Sequence, residues 1–227
     1  MPTGQQNDKT PRTVTSQSPE SIEPALMEVP LFPLGTIVCP GGQLPLRIFE
    51  QRYLKMVSDC LKHEIGFVVV LTRTDHECGF FDLGTYAKIS DFQQLSDGLL
   101  GITVQGIEKV KIKSARREES GLFVGEVHSV PPEPRVGVDN DYPELVELLR
   151  DLQQHPAVER LDLDIDFDDC RDVGYRLMEL LPLRNEDKQY LLSLQRPAYR
   201  LEQLRHMLQS IVENGSGGPD SQENNGS

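Results

Sequence analysis

Apolar residues change period along this chain. From Met27 to Val130 they fall mostly at strand spacing, and from Pro143 to Ile211 at helix spacing. In the first part, Leu31, Phe32, Leu34, Ile37 and Val38 are strand-prone, but Pro30, Pro33, Pro40 and Pro45 each remove a backbone donor. The extended pieces are therefore expected to be short and to lie at edges, bulges or corners, with Gly35, Gly41 and Gly42 in the turns. After Pro45 the period switches: Phe49, Tyr53, Met56, Val57 and Cys60 recur as one stripe, which predicts a helix over about Phe49 to His63 with those side chains inward. Ile65 to Leu71 is apolar on both faces and predicts a central, buried strand. Leu83 to Ile89 predicts another strand and Ser96-Asp97-Gly98 a turn. Leu99 to Ile112 reads as a long strand with a bulge or bend at Gly106, and Leu122 to Val130 completes the set. About six strands interrupted by glycine and proline favour a small curled antiparallel sheet or pseudo-barrel over a parallel sheet.

Beyond Pro131-Pro132-Glu133-Pro134 the pattern predicts four amphipathic helices with short links, hence a compact bundle. Pro143 opens the first. Asp168 or Asp169 caps the second, which Pro182 stops; Asn185 caps the third; Pro197 opens the fourth, carrying Leu201, Leu204, Leu208 and Ile211. The fold class is therefore α+β: a β-rich unit over 27–132 with an early docked helix, then an acidic linker and helical unit over 133–213. Residues 1–26 and 214–227 are polar, hold little that could be buried, and are expected to be disordered tails.

Composition narrows the function classes. The net charge of −13 disfavours nucleic acid and anionic membrane as default partners. Twelve acids against Arg150, Arg160 and Arg171 lie between Asp139 and Asp172, whereas Met27 to Pro132 is nearly neutral, so the negative field belongs to the helical part. No apolar run reaches membrane-spanning length, and the polar start lacks the pattern of a secretory signal; a soluble, cytoplasmic protein is expected. Four scattered cysteines without a CxxC pair fit a reducing compartment.

The run PLFPLG, then PGG, then LPLRIFEQRYLKMV closely resembles the opening of the N-terminal, substrate-binding domain of Lon-type ATP-dependent proteases, a PUA-like fold. GFVVVL, Gly84-Thr85 with Ala87 and Ile89, and Leu181-Pro182-Leu183 extend the likeness over about Val29 to Val212. The resemblance implies a free-standing module of a kind found in many bacteria. It also implies a role in engaging exposed polypeptide segments or a protein partner such as a protease, and a link to protein quality control.

The residues themselves offer little chemistry. There is no GxxxxGK[ST] phosphate loop, GxSxG elbow or HExxH pair, so neither the ATPase nor the Ser-Lys protease activity of a whole Lon protease is expected, and no cofactor or catalytic residue is assigned. Cys60-x-x-His63 with His76-x-Cys78 could form a zinc site, but Cys60 falls on the apolar stripe and the second gap is short for chelation. Asp162, Asp164, Asp166 and Asp168 alternate like the start of a calcium loop. Phe167 and Val173, however, stand where that loop needs Gly and a bidentate Glu, so an acidic linker ending in an N-cap is expected, with Leu161, Leu163, Ile165 and Phe167 inward. Candidate peptide or partner contacts are Phe80 and Phe81, read as exposed beside a glycine, and Glu50, Arg52 and Tyr53 of the family cluster. For these last three, a helix dipole, an ion pair and core packing are the simpler explanations. The alternative of an RNA-binding module rests on Lys109, Lys111, Lys113, Arg116 and Arg117, read as a solvated basic strand face with few aromatic residues nearby. A hydrolase built from scattered residues is the third class.

Overall fold

The prolines of the opening run mark the place where one strand changes partners. In the computed structural model, which describes residues 26–74, 79–138 and 141–215, β1 (Met27–Leu34) pairs with β6 (Phe123–Ser129) from Met27 to Leu31. It then pairs in parallel with β3 (Phe67–Thr72) from Leu31 to Leu34. Pro30 lies in the first half and Pro33 in the second, so neither must donate into a ladder on both sides. β2 (Gln43–Ile48), which holds Pro45, is an edge strand on β5 (Leu100–Arg117). With β4 (Phe80–Gln94) between β3 and β5, and β6 paired to both β1 and β5, five strands close on themselves and β2 is appended outside. The curled pseudo-barrel is thus present, with one parallel pairing among the described strands. Helix α1 (Gln51–His63) lies in the connection between those parallel strands.

Three apolar clusters hold this arrangement. Leu31, Val68, Val70, Phe80, Val110 and Val127 fill the barrel interior. Tyr53, Met56, Val57 and Cys60 of α1 cover Phe32, Phe67 and Val69 on the outer face. β3 supplies both clusters from alternate positions, which is why its sequence is apolar throughout. The third cluster is the helical half: α2 (Pro143–Gln153), a one-turn α3 (Pro156–Glu159), α4 (Cys170–Leu180), α5 (Asn185–Ser193) and α6 (Pro197–Gly215). The expected four helices are therefore joined by a short fifth, whose cap is His155 accepting from the Ala157 amide. Asp169 caps α4 as expected. Asn185 does not cap α5; it is the first helical residue, and Arg184 holds the cap position without a side-chain bond. Ile165 and Phe167 pack on the helical core, and the Arg150 guanidinium lies 4.1 Å from the Phe167 ring centre. The expected tails, as far as Ala25 and from Ser216, lie outside the described residues; Asn214 and Gly215 belong to α6.

The bend expected at Gly106 is real. Register slips between Tyr86 and Ala87, leaving Ile107 as the extra residue on β5. There the Pro40-Gly41-Gly42 turn crosses the strand: Gly41 donates to the Gly106 carbonyl and Gly106 donates to the Gly42 carbonyl, each at 2.9 Å. A Cβ on Gly106 would stand 2.2 Å from the Cys39 carbonyl oxygen. Backbone cannot retreat as a side-chain tip can. Gly106→Ala is expected to lower unfolding free energy by about 1–3 kcal/mol, read as a reduced midpoint in urea, whereas Gly35→Ala, which meets nothing within 4 Å, should stay within about 0.5 kcal/mol.

Candidate functional site

The chain leaves β2 at Ile48 and enters α1 at Gln51, and this short corner decides what Phe49 does. Phe49 precedes the helix instead of belonging to its buried stripe, and it is 68% exposed. This corrects the expectation that it packs inward. It lies on a cleft of about 430 Å³ whose walls include Pro33, Leu34, Leu46 and Arg47 and whose floor carries aromatic rings. The Phe32 and Tyr53 ring centres are 4.2 Å apart, and Phe80 meets Phe123 edge to face at 5.2 Å. Rings already held by their neighbours present apolar surface without losing much freedom when something docks on them.

Glu50, Arg52 and Tyr53 share this cleft. Glu50 occupies the N-cap position without a capping bond and accepts an ion pair from Arg52 Nη2 at 2.7 Å. Arg52 Nη1 donates to the Gly121 carbonyl at 3.0 Å, tying the helix start to the β5–β6 turn, while its Nε is buried with no acceptor among the described residues. Burial pushes the Tyr53 hydroxyl above its ordinary range, against the pull of Arg52.

The two phenylalanines read as exposed part company. Phe80 is 4% exposed, because it starts β4 and points into the barrel, so it contributes to the cleft as floor rather than as a protruding contact. Phe81, next along the strand, faces the other way. It packs on the helical core with the Arg73 guanidinium 4.7 Å from its ring centre. Phe32, Phe49 and Phe123 were missed as cleft residues. No sequence signal marked them: Phe49 falls at helical spacing with Tyr53, and only the structure places it one residue before the N-cap Glu50.

The basic face proposed for RNA is broken. Lys109 is buried and bonded to Glu133 at 2.6 Å, so it cannot meet a phosphate. Arg116 is held by both carboxylate oxygens of Glu28, and Lys111 lies 3.5 Å from Asp82. Lys113 and Arg117 remain exposed. Of the zinc pattern, Cys60 sits in the core with its thiol directed at the Gly66 carbonyl and its pKa pushed by burial to about 11, and His76 and Cys78 lie outside the described residues. No His, Cys, Asp and Glu group suited to a metal occurs among the described residues, the aspartates of 162–168 included; Asp166 is paired with Arg135.

Lys109 instead belongs to a buried junction. Glu133, in the Pro-rich connection, receives Lys109 from β5, the Tyr175 hydroxyl from α4 at 2.6 Å, and two nitrogens of Arg200 from α6 at 2.7 and 2.5 Å. Lys109 also donates to the carbonyls of Leu192 and Leu194, and Arg200 to that of Leu191, so the open end of α5 is satisfied as well. Burial alone would raise the Glu133 carboxyl, but the Arg200, Lys109 and Tyr175 bonds outweigh it and hold its pKa below the ordinary value. A second junction joins the Pro40-Gly41-Gly42 turn to α4. The Cys39 amide donates to Glu179 at 2.6 Å, Arg176 donates to the Pro40 carbonyl and pairs with Glu179 at 3.1 Å, and a Cβ on Gly42 would collide with the Glu179 carboxylate. Burial, opposed by Arg176, lifts Glu179 to about 7.

The pseudo-barrel, the docked helix and the leucine-rich bundle together define a domain of mixed α+β type. The family model described as the ATP-dependent protease La (LON) substrate-binding domain matches residues 28–210, and the chain belongs to that family. A crystal structure of a Lon N-terminal domain protein from Xanthomonas campestris superposes with a TM-score of 0.65 at 33% identity, covering 79% of this chain and 98% of that one. The N-terminal domain of a Mycobacterium avium complex Lon protease shares the fold, with a TM-score of 0.52 at 17% identity over 85% of this chain and all of that one. Lon protease 1 of Myxococcus xanthus is 25% identical over 203 residues, and Lon protease of Escherichia coli 24% over the same length. The chain spans 25% of the length of each of these proteases, and the region matched is substrate-binding rather than catalytic. No described helix is long and apolar enough to cross a membrane.

The two junctions respond to pH in opposite directions. Glu133→Ala would strand Lys109 and Arg200 in the core and is expected to cost about 3–5 kcal/mol, read from urea denaturation at pH 7. In the unaltered protein the Glu133 contribution is complete above the unfolded carboxyl value and is lost as pH falls through its lower folded value. Glu179, raised in the folded state, behaves otherwise: stability should decline as pH rises from about 4.5 to about 7, because only the folded state still holds that proton. Glu179→Gln should flatten the stability profile across that interval; an unchanged slope would refute the assignment.

Proposed function

We propose that this protein is a recognition module without chemistry of its own, which holds exposed apolar segments of other polypeptides in the cleft beside Phe49. One observation carries the reading: a phenylalanine 68% exposed to water at the entrance of an aromatic-floored cleft, on a corner tied down by the Arg52 bonds to Glu50 and Gly121. A large apolar side chain held in water costs free energy that a docked partner would recover, and contiguous exposed apolar surface of this kind marks interaction sites. The family description, substrate-binding domain, supports the same reading. The clients are unfolded or partly exposed chains, or a protein partner such as a protease, met in the cytoplasm as part of protein quality control. The ionisable groups at the Glu133 junction are nearly buried and saturated with partners, and in this reading they serve the fold.

The test uses a permanently unfolded polypeptide with blocked cysteines as ligand. Phe49→Ser removes exposed area only, so the melting temperature should hold while affinity falls about tenfold, the usual size of an aromatic anchor. Equal binding by Phe49→Ser and the unaltered protein would remove the cleft from consideration.

A further inference from the structure

The rim of the Phe49 cleft is not electrically uniform. Arg52 and Arg117 converge on one acceptor, the Gly121 carbonyl, at 3.0 Å from Arg52 Nη1 and 3.4 Å from Arg117 Nε. A Cβ on Gly121 would lie 3.5 Å from one guanidinium and 3.6 Å from the other, so two like charges stand side by side at the β5–β6 turn. Glu50 neutralises Arg52. Arg117 has no carboxylate within ion-pair distance among the described residues: Glu118 and Glu119 of the same turn do not reach it, and Glu28 is taken by Arg116. The Arg117 guanidinium lies 5.7 Å from the centre of the Phe123 ring, which is itself part of the cleft lining. An arginine without a carboxylate partner among the described residues therefore stands beside the cleft, next to a ring of its lining, in a protein whose net charge is −13.

Building on the cleft reading above, we infer that the preferred occupant is an extended polypeptide segment with an apolar anchor in the cleft and an aspartate or glutamate side chain two residues away, bound by Arg117. Residues i and i+2 of an extended peptide share a face about 6.6 Å apart, and the Arg117 guanidinium lies 5.7 Å from the Phe123 ring of the cleft lining, so an acid two residues from an anchor resting against that ring comes within reach of Arg117. The chemistry follows from charge: an added carboxylate finds the vacant donors of Arg117 and relieves its repulsion with Arg52, where an added ammonium would worsen it. The anchor supplies affinity and the acid supplies selection among apolar segments.

Three N-acetylated, C-amidated decapeptides with one central phenylalanine in a Gly/Ser background test this, carrying Glu, Ser or Lys two residues from the ring and labelled for fluorescence polarisation. The Glu peptide should bind about fivefold tighter than the Ser peptide at low salt, as an exposed charge pair permits, and the Lys peptide weaker than both. The Glu-to-Ser ratio should fall towards one in 0.5 M NaCl and in Arg117→Gln, an exposed substitution that leaves the core intact. If Glu and Ser peptides bind the unaltered protein equally, the acidic preference is wrong while the cleft stands. If none of the three binds, the cleft reading itself fails. A fourth peptide, whose sole carboxylate is its free C-terminus placed two residues from the ring, should bind no tighter than the Ser peptide. Binding at the level of the Glu peptide would overturn the side-chain source.

Discussion

One carboxylate joins the two halves of this molecule. Glu133 sits where the sheet ends and the helices begin, and its two oxygens take bonds from β5, α4 and α6 at once. Burying a carboxylate, an ammonium and a guanidinium together carries a large desolvation cost, which only near-complete satisfaction of their donors and acceptors offsets. Here it is met. Glu133, Lys109 and Arg200 are 1%, 3% and 0% exposed in their side chains, and the spare nitrogens bond the carbonyls that close α5. An apolar contact would tolerate sliding of helices over the sheet. A saturated ionic hub with directional bonds to four elements tolerates one arrangement.

The second junction uses the same logic on a smaller scale and gives two glycines, Gly42 of the PGG turn and Gly106 of β5, their purpose. Gly42 lies against the Glu179 carboxylate and Gly106 lies under the Cys39 carbonyl, so backbone approaches backbone and carboxylate at distances no Cβ would allow. Arg176 reaches across to the Pro40 carbonyl. The turn that appears in the chain as a simple strand connector is the second strap between sheet and helices.

The cleft lies apart from both straps and shares no lining residue with the Glu133 hub. Its rigidity comes from the α1 entrance, where Arg52 spans from Glu50 to the β5–β6 turn, and from rings that already pack on each other. A cleft held in this way would require little ordering of the host in the recognition role proposed above.

Much of this could be read from residue order alone, because the determinants are local. Prolines and glycines punctuate strands through their own backbone limits, apolar period reports which face is covered, and the strand set, α1, α4 and α6 follow from those rules, as does the bulge at Gly106. The family likeness was visible for the same reason, carried by a run of prolines and glycines at fixed spacing. Apart from the α5 cap and the one-turn α3, the failures are places where a side chain's partner is remote in the chain. Lys109 looked like one of three alternating surface lysines, and only a glutamate 24 residues away and an arginine beyond it make it a core residue. Phe80 looked exposed beside its glycine until barrel closure by β6 put Phe123 over it. Phe49 obeyed helical spacing yet stands outside the helix, since the chain turns at Glu50 into α1, whose Arg52 bonds Gly121 on a distant turn. Spacing along a chain reports which way a side chain faces; which neighbour waits there is set by closure of the sheet and docking of the helices.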